Sequence, residues 1–249
     1  DSKSVVETFK KKLAISYFEK ENGGQGFARN YAFERAKGDF FVILDSDALI
    51  EPNYLSEVYK GIHVDHLDLF GGPDKEHKSF TPIQKAISFS MTSFFTTGGI
   101  RGKSKNIGGK FHPRSFNMGI SRKVWEKTGG FKITRMGEDI EFSIRCIENG
   151  FKSGLLQQAF IYHKRRTSFI QFYDQLHFFG RARINISRFF PKELKWVHFI
   201  PLAYFIFFWN TILWNIVDIN FGLIFSSMLI GYWILLFLDA LIKSKNLMI

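Results

Sequence analysis

Two long apolar stretches near the end of the sequence limit most strongly what this chain can fold into. Residues 197–217 contain no Asp, Glu, Lys or Arg, and residues 221–242 contain a single charged residue, Asp239. As helices, both are long enough to cross about 30 Å of hydrocarbon at ~1.5 Å per residue. Because the connection between them is short, we expect a transmembrane helical hairpin. Two buried core helices are the alternative interpretation.

The distribution of charge separates this hairpin from the rest of the chain. The net charge of +11 resides in residues 1–196, because the two acids of 197–242 are balanced by Lys243 and Lys245. Lysines thus flank both ends of the hairpin, which predicts that both ends face the cytoplasm. A basic body beside such a hairpin indicates an anionic membrane surface or phosphorylated substrates. The sequence has no nucleic-acid-binding motif, so we expect no nucleic-acid partner.

Four segments follow from these patterns. Residues 1–166 alternate strand-like and helix-like runs, which predicts an α/β domain with a mostly parallel sheet. Within it, the apolar run Phe40–Leu44 predicts a strand buried on both faces. Residues 167–196 interleave aromatic residues with arginines and form an amphipathic segment, expected in the membrane interface or packed on the domain. The hairpin of 197–242 and a cytoplasmic tail of 243–249 complete the chain.

Carboxylates directly after the predicted strand are the first candidate for chemistry. Asp45 and Asp47 are separated by one residue, and ligands of open α/β sheets bind at the carboxyl ends of strands. Such a pair can approach one divalent cation, and hard oxygen ligands suit Mg²⁺ or Mn²⁺. His163 follows another strand-like run, and its imidazole could complete a metal site. The alternatives are a turn with two solvated acids and a structural histidine.

A second pair of acids opens a predicted helix. Glu138 and Asp139 precede Ile140, Ile144 and Ile147, whose spacing predicts an amphipathic helix from residue 138 to residue 148. An acid in the first helical turn lies at the positive end of the helix dipole. Asp139 facing a cleft could act as a general base toward an alcohol, whereas a helix cap is the simpler interpretation.

Taken in order, these motifs resemble family-2 inverting glycosyltransferases of the GT-A fold, of the membrane-anchored type that assembles bacterial polysaccharides. The resemblance runs from Asp1 to about Arg183 and rests on an ordered set of segments. They are NGGQGFARN at 22–30, AKGD at 36–39, LDSD at 44–47, NMGISR at 117–122, GGF at 129–131 and GEDIEFSIR at 137–145, followed by Gly150 and His163.

The resemblance implies a metal-dependent reaction with a nucleotide-diphospho-sugar donor. Asp45 and Asp47 match the pair that holds Mn²⁺ or Mg²⁺ and the diphosphate of the donor. His163 matches a further metal or diphosphate ligand, and Asp139 matches the general base. Losing its proton to Asp139, an acceptor hydroxyl would displace the nucleotide diphosphate in a single inverting step.

The same resemblance assigns residues to the two substrates. On the donor side it implies Asp1, Gly23 and Arg29 together with Asp45. On the acceptor side it implies Asn117, Glu138 and Arg181, with a lipid-linked or other glycan as acceptor. The expected location is the bacterial inner membrane, with the catalytic domain in the cytoplasm.

Two departures from the family pattern lead to further expectations. The first strand and its nucleotide-binding loop would precede Asp1, so we expect the domain to be incomplete at its N-terminus. The Gln-x-x-Arg-Trp motif of processive synthases is absent, which favours transfer of one sugar per encounter. A polyprenyl-phosphate glycosyltransferase and a non-catalytic membrane partner in a glycan assembly complex are the alternative functions.

Overall fold

A computed structural model describes residues 2–97, 111–133 and 135–244. Apolar periodicity and caps set the helices: Thr81 and Ser121, for example, each accept a backbone N–H in the first turn of the helix that follows. The helices are α1 Ser2–Phe9, α2 Gln25–Arg35, α3 Tyr54–His63, α4 Pro82–Thr92, α5 Phe94–Thr97, α6 Arg122–Thr128, α7 Glu138–Glu148, α8 Phe169–Phe189, α9 Ile200–Val217 and α10 Ile219–Ser244. The strands are β1 Phe40–Leu44, β2 Ala48–Ile50, β3 Leu69–Gly71, β4 Asp74–Lys75, β5 Asn117–Ser121, β6 Ser153–Leu155 and β7 Ile161–His163.

The larger sheet has the strand order β1-β5-β3-β6. Strands β1, β3 and β6 run in the same direction, as the alternation of strands and helices predicts. β5 is inserted between β1 and β3 and runs antiparallel to both, so this sheet is mixed and not simply parallel. The local pattern could not predict this reversal, because strand direction depends on the connection between β4 and β5, which is about 40 residues long.

The predicted strand Phe40–Leu44 is confirmed, but the expectation that it is buried on both faces is wrong. Phe41 and Ile43 are buried, whereas Val42 and Leu44 are each more than a third exposed. Successive side chains of a strand point to opposite faces of the sheet, and among the described residues the Val42 face of β1 is less fully covered than the Phe41 face. The main core lies on the Phe41 side and contains Met118, Ile120 and Phe142.

A smaller sheet positions the ends of two strands side by side. β2 pairs antiparallel with β7, and β4 pairs parallel with β7. β2 begins immediately after the Asp45–Asp47 segment, and its first residue, Ala48, is paired with His163. The register of this sheet therefore brings His163 beside the carboxyl end of β1.

The amphipathic segment forms one long helix, α8, that packs on the start of α7. Ile186 and Ala182 are buried, and Ile186 packs against Ile140 and Ile144. Several apolar side chains elsewhere on α8 stay exposed, among them Ile170 and Tyr173. One face of α8 thus packs on the domain, and apolar surface remains free for the membrane interface, so the two expectations are compatible.

Helices α9 and α10 form a hairpin that returns to the α/β domain. The Asn215 side chain on α9 donates to the Gly222 carbonyl on α10 at 3.3 Å. A Cβ added at Gly222 would lie 2.6 Å from the Asn215 Cα, so the two helices are in close contact there. At the far end of α10, the Ser93 hydroxyl donates to Asp239 at 2.5 Å. Only 6% of the first apolar window and 11% of the second are buried, so neither helix is a core helix of the described structure. Both are long and apolar enough to cross a membrane.

Candidate active site

The carboxyl end of β1 and the end of β7 together form a cluster of three metal-ligating side chains. His163 Nε2 lies 3.2 Å from Asp47 Oδ1 and 3.7 Å from Asp45 Oδ2. One ligand atom from each of the three residues lies within 4.8 Å of the others. Backbone pairing continues beyond the strands, since Lys164 N donates to Asp47 O at 3.3 Å. The sequence-based grouping of these three residues is thus reproduced in space.

The chemistry of this cluster fits a divalent cation. Asp45 and Asp47 are 38% and 47% exposed, so their oxygens are open to an ion and to substrate. The imidazole of His163 is held more firmly, because its ring stacks on Phe116 with centroids 5.3 Å apart. Two carboxylates and one imidazole are a donor set that suits Mn²⁺ or Mg²⁺, with positions left for phosphate oxygens.

Arg29 connects this cluster to the acids of α7. Its guanidinium, on α2, lies 3.6 Å from Asp45 Oδ1 and donates to Glu138 Oε1 at 3.0 Å. The face of Phe131 lies 5.5 Å from the guanidinium carbon and helps to fix its position. The guanidinium of Arg29 therefore contacts carboxylates from two distant parts of the chain, Asp45 and Glu138. These groups lie in one cleft.

Glu138 is a buried partner of this arginine and does not face an acceptor directly. Its side chain is 3% exposed and accepts hydrogen bonds from Arg29 and from the Gln25 amide. Burial, followed by the charge of Asp139, raises the pKa of Glu138, and Arg29 opposes that shift. We therefore infer that Glu138 shapes the cleft by positioning Arg29.

Asp139 lies in the first turn of α7, directly beside Glu138. Its Oδ1 accepts from Ile140 N at 2.8 Å and lies 3.6 Å from Arg114, while Ser115 N donates to Oδ2 at 3.4 Å. The preceding Gly137 has φ 95°, a conformation that glycine adopts without strain and that starts the helix at this point. The helix N-terminus and Arg114 both interact favourably with a carboxylate here. With 15% of its side chain exposed, Asp139 remains accessible to a hydroxyl group.

Asn117, expected on the acceptor side, has both polar atoms of its side chain paired inside the protein. Its side chain is fully buried at the start of β5, where Oδ1 accepts from the Tyr54 hydroxyl at 2.6 Å and Nδ2 donates to Ala159 O at 2.8 Å. Both polar atoms are thus bound within the protein, and Asn117 joins α3 to the loop before β7. These contacts favour a structural role for the asparagine of this motif.

The other residues predicted for the site are Gly23, Arg181 and Asp1. Gly23 lies in the loop that leads into α2, the helix that carries Arg29. Arg181 is exposed on α8 and lines a separate cavity, considered below. Asp1 and most of the predicted tail, residues 245–249, lie outside the described residues.

Sequence reasoning missed three residues around the acids of α7. Gln25 was quoted as part of a glycine-rich segment, yet its amide binds Glu138. Arg114 contacts Asp139 from the segment before β5. Arg183 lies close enough to Asp139 to interact with its charge, and burial, followed by the charge of Arg114, lowers the pKa of Arg183. For Arg114 and Arg183, the only signal in the sequence was the excess of basic residues over residues 1–196.

Comparison with known proteins identifies the class that this fold and cleft define. The family described as glycosyl transferase family 2 matches residues 1–129, and the chain therefore belongs to that family. A curated protein of Sulfolobus acidocaldarius, called a probable glycosyltransferase, is 25% identical over 199 residues, which cover 78% of this chain and 42% of that protein. The chain is thus a member of glycosyl transferase family 2, and its fold is of the GT-A type.

A solved structure with the same fold is the mannosyltransferase PcManGT of Pyrobaculum calidifontis, in complex with GDP-Man and Mn²⁺. It matches with a TM-score of 0.54 at 15% identity, over 75% of this chain and 51% of that chain. The chain therefore spans about half or less of the length of these relatives.

Proposed function

We propose that this protein is an inverting glycosyltransferase that moves a sugar from a nucleotide-diphospho-sugar to a hydroxyl group of a lipid-linked or other glycan acceptor. The observation that carries this proposal is the position of Arg29, which contacts Asp45 at the end of β1 and Glu138 at the start of α7. Arg29 thus links the carboxylate proposed to hold the donor diphosphate to the helical turn that carries the proposed base, Asp139, which supports a shared cleft.

On the donor side, Asp45, Asp47 and His163 would hold a divalent cation, Mn²⁺ or Mg²⁺. When bound, such a cation offsets the negative charge that the leaving nucleotide diphosphate develops. Arg29 adds a guanidinium at the same end of the cleft, where it can pair with a phosphate oxygen. Gly23 belongs to the donor side of this proposal because its loop leads into the helix of Arg29, and Asp1 belongs to it through the family resemblance alone.

On the acceptor side, Asp139 takes the proton of the attacking hydroxyl. The backbone N–H groups of Ser115 and Ile140 orient its carboxylate, and Arg114 compensates its charge. With this base on the side opposite the leaving group, the hydroxyl attacks the anomeric carbon directly and no covalent bond to the protein forms. A single displacement of this kind inverts the anomeric configuration. Glu138 serves indirectly, by holding Arg29.

The hairpin of α9 and α10 would anchor this cleft at a membrane with its basic domain in the cytoplasm. Both ends of the hairpin lie at the α/β domain, because α8 leads into α9 and the end of α10 contacts Ser93. Holding the enzyme at the bilayer raises the effective concentration of any acceptor that is carried by a lipid. A lipid-linked glycan is therefore the acceptor that this architecture favours.

The test is a screen of nucleotide-diphospho-sugars with the full-length protein in membranes. Parallel reactions contain Mn²⁺, Mg²⁺ or a chelator, and NMR reports the anomeric configuration of the product. We expect one donor to be consumed only with a divalent cation and to give the inverted anomer on a hydroxyl group. Retention of configuration, transfer that survives the chelator, or a product with the sugar on a phosphate would each contradict the proposal.

A further inference from the structure

A cavity of about 590 Å³ lies beside the active-site cleft, between α8 and the segment that leads into α7. Four of its residues are His177, Arg181, Ile184 and Arg188, whose spacing places them along one face of α8. The opposite side is formed by residues 135 and 136. The complete lining is Arg135, Met136, His177, Gly180, Arg181, Ile184, Asn185 and Arg188.

The lining of this cavity is positively charged, and no acidic lining residue compensates that charge. Three of its lining residues are arginines and none is an acid. In the described part of the chain, Arg135, Arg181 and Arg188 form no ion pair with a carboxylate, whereas Arg29, Arg114, Arg145 and Arg165 each do. Like charges gathered around a concave surface repel one another unless an anion lies between them. Guanidinium groups match the geometry of phosphate oxygens particularly well.

The cavity is joined physically to the proposed base. Asn185 donates to the Met136 carbonyl at 3.5 Å, and Met136 has φ 60°, just before the turn at Gly137. A Cβ added at Gly137 would lie 2.7 Å from Ile186 Cδ1, so α8 and the start of α7 are in close contact. Asp139 follows Met136 by three residues. A ligand held in the cavity therefore lies near the side from which a hydroxyl would approach Asp139.

The cavity also lies on the helix that leads into the apolar hairpin. α8 leads through a short connection into α9, the first of the two apolar helices. Ile184 is half exposed and Met136 is partly buried, which gives the cavity apolar lining next to its arginines. A ligand with a phosphate head and an isoprenoid chain would satisfy both kinds of lining.

We propose that this arginine-lined cavity binds the phosphate group of a lipid-linked acceptor, with Arg135, Arg181 and Arg188 as the residues that hold it. The proposal rests on the function proposed above and names the class of acceptor: a glycan joined to an isoprenoid lipid through phosphate. The phosphate is an anchor and not the nucleophile, because Asp139 belongs to the neighbouring cleft and does not line this cavity. A concave site built from two segments favours a single headgroup over the general attraction of a flat basic surface to anionic lipid.

The test measures binding of farnesyl diphosphate to the full-length protein in a neutral detergent by titration calorimetry, without donor. Arg181→Gln and Arg188→Gln each remove one guanidinium from the cavity. Arg166→Gln removes the same charge from an exposed position shortly before α8 and is the matched control. We expect each cavity variant to weaken binding roughly 10-fold, as for a lost hydrogen bond to a charged group, and the control to bind like the parent.

Three results would overturn the proposal. The first is parent-like binding of farnesyl diphosphate by both cavity variants. The second is equally tight binding of inorganic pyrophosphate, which would indicate a free phosphate ligand. The third is equal competition by phosphatidylglycerol vesicles, which would indicate general attraction to anionic lipid.

Binding of the nucleotide-sugar donor to the same variants separates this proposal from the one on which it rests. We expect donor binding with Mn²⁺ to be unchanged in Arg181→Gln and Arg188→Gln. Parent-like farnesyl diphosphate binding with intact donor binding would refute the cavity assignment alone. Absence of donor binding in the parent itself would refute the proposed function.

Discussion

Replacing Asn117 by alanine should destabilise the protein strongly and leave sugar transfer nearly intact. The variant removes the acceptor of the Tyr54 hydroxyl and the donor to the Ala159 carbonyl, two contacts of 2.6 and 2.8 Å in the interior. A buried polar group left without a partner costs about 1–3 kcal/mol, so the two together cost roughly 2–5 kcal/mol. For a domain of this size, that lowers the unfolding temperature by roughly 5–15 °C.

Thermal unfolding of the purified protein in detergent, followed by tryptophan fluorescence, measures this loss. Adding Tyr54→Phe to the alanine variant removes the stranded hydroxyl and should recover about 1–2 kcal/mol. Transfer measured at 15 °C should stay within about threefold of the parent, because Asn117 contacts none of the cleft acids. An unchanged unfolding temperature with a large loss of transfer would refute this reasoning and restore the acceptor role of Asn117.

Three further predictions test the cleft and its surroundings. Asp47→Asn should weaken Mn²⁺ binding about 10-fold or more in calorimetry, whereas the exposed Asp65→Asn should not; equal binding by both variants would contradict the metal site. Burial lowers the pKa of His112 to about 4 from its usual 6.5, so the native protein binds fewer protons between these values and stability falls as the pH drops through this range. This titration should contribute about 2 kcal/mol to the unfolding free energy lost between pH 7 and pH 5, and His112→Gln should reduce the loss by about that amount; an identical acid response in the variant would exclude His112 as a cause. Gly137→Ala should slow transfer, because alanine is strained at φ 95° and its Cβ would press on Ile186; a parent-like rate would show that the turn tolerates a side chain.

The sequence predicted best those features that depend on local pattern. The apolar run before Asp45 defined β1 to the residue, and the spacing of Ile140, Ile144 and Ile147 gave the observed bounds of α7. Both patterns show which side chains of a short segment pack on the core. The residues of that one helix or strand are enough to determine this.

Long-range pairing could not be obtained in this way. His163 reaches Asp47 only because β2 and β7 pair in one register, and the insertion of β5 reverses one strand of the larger sheet. Register and strand direction depend on connections far along the chain, which the local pattern does not encode. The resemblance to a family, and not the periodicity, joined His163 to the two aspartates.

Burial of polar residues was the other source of error. Asn117 and Glu138 belong to recognised motifs and were assigned to the acceptor side, yet Asn117 is fully buried and Glu138 is 2% exposed. A polar residue in a motif has the same sequence signature whether it meets a substrate or holds a neighbouring side chain. Only the partners of these side chains, Tyr54 and Arg29, distinguish the two roles.

In the proposed reaction, Asp139 removes the proton of the acceptor hydroxyl in a cleft whose other side holds the donor. The transfer rate of Asp139→Asn at saturating donor measures this step most directly. Asparagine keeps an oxygen that can accept from Ile140 N, so donor affinity with Mn²⁺ should remain within about twofold of the parent. The rate should fall by about 10²–10⁴, as expected for loss of a general base. Transfer at the parent rate, with donor bound normally, would contradict the account.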